Sequence, residues 1–206
     1  MSRRKKASIV VAVAAIACMA GVLIWYFSEP RYPDTLPPGQ DPALILPLND
    51  FSHNDYIQGY GQVSPTYFHV GFDFGANDTI VFVAPAKAYV KYARLNYFND
   101  KGGHWQSEVL LRLNSEWMVA LAFESWALDD TTGALQASAI VVREGQLVEA
   151  NQTIGSLLCH GEYAHVHLSV IKNDEHLCPY YYFIDPAKAT FASQFAKVGI
   201  NPSWEM

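Results

Sequence analysis

His165-Val166-His167 lies in a run of apolar and β-branched residues, and His69-Val70-Gly71-Phe72-Asp73 stands far upstream of it. Two imidazoles and a carboxylate are the ligand types of a catalytic zinc ion that keeps a fourth position open for water. On a strand, His165 and His167 face the same side with α-carbons about 7 Å apart, so both can address one cavity. His69 and Asp73 need more. Four residues of straight strand span about 13 Å, too far for both side chains to reach one ion, and Val70-Gly71-Phe72 is poor helix material. The chain must therefore bend between them, and Gly71 is where it can.

The elements that would carry these residues are nearly all strands. Thr79 to Tyr92, Glu108 to Leu113, Trp117 to Phe123, Ser138 to Arg143 and Val166 to Ile171 are rich in β-branched and aromatic residues between turn-forming Gly, Asn and Asp. Short strands at this spacing predict an all-β domain, an antiparallel sheet closed into a barrel or stacked as a sandwich. One late helix is expected over Ala187 to Lys197, led by Asp185-Pro186. The aromatic run Tyr180 to Phe183 reads as core and rim packing.

Ahead of this domain, Arg3, Arg4, Lys5 and Lys6 form a basic tail (1–6), followed by an uncharged apolar run from Ala7 to Phe27. At about 1.5 Å per residue that run crosses a bilayer core of roughly 30 Å, which predicts an N-terminal transmembrane helix over 7–27. The basic tail stays cytoplasmic, so the remainder is expected in the periplasm or outside the cell, anchored to the inner (cytoplasmic) membrane by a single pass. A cleaved signal peptide and a lipoprotein box at Cys18 are the competing readings, and the continued apolar run past Cys18 argues against both. Pro30, Pro33, Pro37, Pro38, Pro42 and Pro47 then forbid regular structure and predict an extended tether over 28–43, with the folded domain at 44–206.

Without the four basic residues of the tail, ten Lys and Arg face twenty Asp and Glu. That acidic balance disfavours nucleic acid or another polyanion as a partner. Cys159 and Cys178 flank the His-Val-His run, and in an oxidising compartment they read as a disulfide worth about 3 kcal/mol in the loop-entropy model. The alternative is two further thiolate ligands.

His69-x-Gly71-x-Asp73, then Ala84-Pro85-Ala86 before a strand, then Glu144-Gly145-Gln146-Leu147-Val148 through Gly155, then His165-x-His167-Leu168, closing on Phe183-Ile184-Asp185-Pro186, resembles the lysostaphin-like (LytM-type) zinc metallopeptidases. The resemblance implies the LytM fold, an antiparallel β-sheet of duplicated-hybrid-motif type with a groove along it. It also implies zinc on the groove floor, held by His69, Asp73 and His167, with His165 acting on the bound water. Members of this family cleave peptide cross-bridges of peptidoglycan.

One family feature is missing. Members carry a second catalytic histidine in a Tyr-x-His-Leu segment on a central strand, and the ungapped match to Leu121-Ala122-Phe123-Glu124-Ser125 puts Phe123 at its place. Glu124 would face the other side of a regular strand. His160, Glu162, His176 and His104 could approach from loops and stay unranked, since isolated histidines are mostly ordinary polar residues, as His53 is expected to be. Losing one such catalytic group costs about two to four orders of magnitude in rate. Two functions therefore remain expected: an anchored zinc endopeptidase acting on peptidoglycan peptides, or a catalytically impaired zinc-binding module that binds wall peptides or a regulatory protein partner. A protease for some other extracellular protein is the third.

Overall fold

A computed structural model describes residues 32–48 and 50–198, with side chains through Gln194. The expected basic tail and membrane span lie outside the described residues, among which no helix is long and apolar enough to cross a membrane.

The chain enters extended, as its prolines require. From Pro33 onward it is docked rather than free: the Thr35 and Leu36 amides both donate to the Leu113 carbonyl, and Arg112 pairs with Asp34 at 2.7 Å. β1 (Asn54–Gln58) follows, then a small hairpin of β2 (Gly61–Ser64) and β3 (Tyr67–His69), then β4 (Phe72–Ala76). β5 is Ile80–Val83 and β6 is Ala88–Asn99, so the single strand expected over Thr79 to Tyr92 is two. The break falls at Pro85, which has no amide hydrogen for a ladder. β7 (His104–Arg112) and β8 (Trp117–Ala127) complete a meander with β6.

Helix α1 (Asp130–Ser138) comes next, where the sequence reading had no helix. Asp129 caps it by accepting from the Thr132 amide, but Thr131, Thr132 and Gly133 are poor helix formers, and this hides it. The strand expected over Ser138 to Arg143 is only the end of that helix and an isolated bridge from Ile140 to Gly155. β9 (Leu147–Val148), β10 (Thr153–Leu157), β11 (His165–Lys172) and β12 (Glu175–Leu177) follow, then a short 3-10 turn and helix α2 (Asp185–Val198).

The main sheet is antiparallel and runs β1-β4-β11-β8-β7-β6-β9, with β12 also on β11. Period-2 alternation divides its faces. Phe72, Phe74, Leu121, Phe123, Val166 and Leu168 are fully buried on one side, where the β5–β10 pair and α2 cover them: Phe82 meets Phe123 edge-on at 5.7 Å, and Phe191 meets Phe72 at 5.1 Å. The other face carries Asp73, His165, His167, Ser169, Ala120, Ala122, Glu124 and Glu108. The result is a curled, layered sheet rather than a closed barrel, with a polar face left for chemistry.

Cys159 and Cys178 are free cysteines, which corrects the expected disulfide. Leu177 pairs with Val170, so Cys178 lies beside the C-terminal half of β11, whereas Cys159 precedes its N-terminal end and its thiol points at the Ala76 carbonyl. Half a strand separates two residues whose α-carbons would have to lie within about 7 Å.

Candidate metal centre

Strand register assembles the site. His167 lies opposite Asp73 of β4 and Ala122 of β8, and His165 lies opposite Gly75 and Glu124. The chain breaks between β3 and β4 at Val70-Gly71, turning His69 back over Asp73. A Cβ on Gly71 would stand 2.5 Å from His167 Nε2 and 2.5 Å from the Leu168 carbonyl oxygen, so only glycine lets the chain bend this close to β11.

Three donor atoms converge. His69 Nε2 is 3.0 Å from His167 Nδ1 and 3.1 Å from Asp73 Oδ1, and His167 Nδ1 is 2.7 Å from that same oxygen. A tetrahedral zinc with bonds of about 2.0–2.1 Å sets its donors roughly 3.3 Å apart, close to this triangle. The outer nitrogens settle which lone pairs are offered. His69 Nδ1–H donates to the Gly59 carbonyl at 2.7 Å, and His167 Nε2–H donates to Ser169 Oγ at 2.9 Å, whose own hydroxyl turns to the Val70 carbonyl at 3.4 Å. Both imidazoles therefore aim bare nitrogens at a carboxylate, an arrangement stable only with protons or a cation between them. His69, Asp73 and His167 are the described group of side chains able to hold a metal ion, and His69 and Asp73 are buried.

The flanking charges fit the same centre. Burial raises the Asp73 carboxyl, but hydrogen bonds from His167 and His69 outweigh it and hold the acid far below its usual range. Burial pulls His165 down, while Glu124 and Asp73 more than offset this and lift it to about 9. A dication on the three donors would cancel Asp73's share of that lift. His165 Nδ1–H donates to the Tyr163 carbonyl at 2.7 Å, leaving Nε2 facing inward, 3.7 Å from Asp73 Oδ1 and 3.7 Å from Glu124 Oε1.

Phe123 does not occupy the place of the second histidine. It pairs with Val166 and is fully buried on the core face, while Glu124 pairs with His165 and faces the site. The signal was present in the sequence. Trp117, Val119, Leu121 and Phe123 are large and apolar, while Met118, Ala120, Ala122 and Glu124 alternate with them, which assigns Glu124 to the polar face. Of the unranked histidines, His104 reaches Glu124, with Nε2 2.8 Å from Oε2, whereas His160 turns away to Ser125. His176 lines the far part of the groove with Lys91, Tyr92, Glu108 and Asp174, a cavity of about 430 Å³ that begins at His167. Glu162 lines a separate cavity near Cys159.

Sheet, groove and His/Asp/His cluster define the class: the chain has the LytM-type fold of the lysostaphin-like peptidases. It is similar to a chain of the pore-forming SpoIIQ–SpoIIIAH complex at 14% identity, over 74% of this chain and 98% of that one, with a TM-score of 0.50. Helicobacter pylori Csd3 is similar at 17% identity over 76% of this chain and 39% of its own, with a TM-score of 0.50. Lysostaphin aligns at 18% identity over 62% of this chain and 51% of its own, with a TM-score of 0.43. At such identities the first two likenesses show the fold alone. No family model and no curated protein matches the chain by sequence.

Proposed function

We propose that this chain is a membrane-anchored, extracytoplasmic zinc peptidase that hydrolyses peptide cross-links of peptidoglycan. The observation that carries it is the triangle of His69 Nε2, Asp73 Oδ1 and His167 Nδ1, each imidazole locked by an outer hydrogen bond with its lone pair inward. Zinc held there would lower the pKa of a bound water toward 7 and polarise the scissile carbonyl. The floor of the groove beyond His167 is Ala122 and Ala120, small enough for an extended peptide backbone to lie across it. Glu124 and His165 stand at the opposite end of the site, and a protonated His165 Nε2 donates to the oxygen that gains charge as the carbonyl is attacked. The apolar run over 7–27 and the acidic remainder support placement outside the membrane, facing the wall.

A specific observation favours a second reading. The strand on which the family carries its second histidine here turns a carboxylate, Glu124, to the site, and an anion there cannot stabilise a developing oxyanion. In that reading the domain keeps its metal, binds wall peptides and acts through a protein partner; the similar chain of the SpoIIQ–SpoIIIAH structure belongs to a pore-forming complex of two proteins, which supports the partner. Incubating purified peptidoglycan with the zinc-loaded full chain and with His167→Ala separates the two. New peptide ends that require the intact ligand set support the peptidase; none, with zinc bound, supports the binding module.

A further inference from the structure

His104, at the start of β7, is a buried polar group beside the site, 1% exposed. Its Nδ1 is enclosed with no hydrogen-bond partner, and its Nε2–H donates to Glu124 Oε2 at 2.8 Å. Trp126 stacks on the ring at 4.3 Å and 25°, and it does so with a left-handed backbone, φ 62°. That conformation is unfavourable for a bulky residue and persists only where the surroundings impose it. It sits in a bulge: Trp105 pairs with Ala127 but Ser107 with Phe123, so Glu124, Ser125 and Trp126 together oppose Gln106. On the other side Gly102 leaves room for the ring, because a Cβ there would lie 2.4 Å from His104 Cε1. A buried imidazole, a strained tryptophan and a bulge thus all serve to fix one carboxylate on the metal-facing side of the sheet.

We propose that Glu124, held by His104, is the proton acceptor for the attacking water, with His104 as its positioning residue. This rests on the peptidase reading above. Glu124 Oε2 is taken by His104, and Oε1 is turned to the site, where His165 stands 3.7 Å from it and 3.7 Å from Asp73. As the water's O–H bond breaks, its proton goes to Glu124 Oε1, its oxygen bonds to the carbonyl carbon, and the C=O π pair moves to the carbonyl oxygen opposite His165 Nε2–H. Glu124 then gives the proton to the departing nitrogen as the C–N bond breaks, leaving a carboxyl group and an amine. The charged and titratable groups facing Glu124 are His104 from β7, His165 and His167 from β11 and Asp73 from β4, and its charge also reaches Tyr56 of β1 and Tyr67 of β3.

The test compares the zinc-loaded full chain with Glu124→Gln, Glu124→Asp and His104→Gln, using peptidoglycan as substrate. Glu124→Gln should lower kcat at least about a hundredfold with KM within about threefold, and should remove the acid limb of the pH profile. His104→Gln should lower kcat about ten- to a hundredfold with KM unchanged, and Glu124→Asp should retain part of the activity. Zinc should stay bound in all three. A readout independent of turnover is the low-field imidazole proton of His104 in NMR spectra, present in the wild type, shifted in Glu124→Asp and lost in Glu124→Gln. An active wild type with a Glu124→Gln variant within about threefold of it overturns the assignment alone. A wild type that releases no peptide overturns the peptidase reading and the assignment with it.

Discussion

Gly71→Ala isolates the feature on which the metal centre depends, the close passage of the β3–β4 break over β11. The added methyl would start 2.5 Å from the Leu168 carbonyl oxygen and 2.5 Å from His167 Nε2. Carbon–oxygen contacts settle near roughly 3.3–3.6 Å, so something must retreat by about 1 Å. The carbonyl belongs to the paired centre of β11, where Leu168 lies between Phe72 and Leu121, and it cannot move alone. Overpacking of this kind costs about 1–3 kcal/mol, or roughly 2–12 °C of melting temperature for a domain of this size. If instead the His167 ring gives way, it leaves Ser169 and the donor triangle, and zinc affinity falls about ten- to a hundredfold. Melting of the metal-free full chain reads the first term, and competition with a chromogenic chelator reads the second. A variant with wild-type melting and wild-type zinc affinity would refute the wedge geometry and with it the reason given for glycine at this position.

Ser169→Ala should leave the fold intact but free His167 Nε2, weakening zinc binding about tenfold in the same chelator assay. Phe123→His should restore nothing: the imidazole would enter the core against Phe82, so the expected result is a loss of about 3–5 kcal/mol in denaturant unfolding, as for other large core truncations, with no gain in peptide release. Both Cys159 and Cys178 should alkylate in the denatured, unreduced chain, as mass spectrometry of the tryptic peptides can show.

Local patterns in the sequence and local structure agree where the physics is local. Two histidines two residues apart on a strand share a face whatever the fold, and the bend at Gly71 follows from the reach of four residues. The layered antiparallel sheet and the late helix were legible for the same reason. What the sequence reading missed depends on register and on contacts between distant strands. Whether Phe123 or Glu124 faces the site is one residue of slip, which inverts every side chain of β8, and a motif match could not fix it although the alternation from Trp117 to Glu124 could. His104 joins the site only because β7 pairs with β8, and it carries no motif. The two cysteines suggested a bridge by their flanking positions, yet the strand between them holds them apart. α1 escaped because its sequence is indifferent to helix and its cap, Asp129, is its strongest signal.

The measurement that bears most directly on the central claim is the zinc content and affinity of the full chain beside His69→Ala, Asp73→Ala and His167→Ala. The structure predicts one zinc per chain in the wild type, an absorption-edge spectrum of two imidazole nitrogens with oxygen ligands, and loss of tight binding in each of the three variants. A wild type that takes up no zinc, or variants that bind it as tightly as the wild type does, would contradict the metal centre and everything built on it.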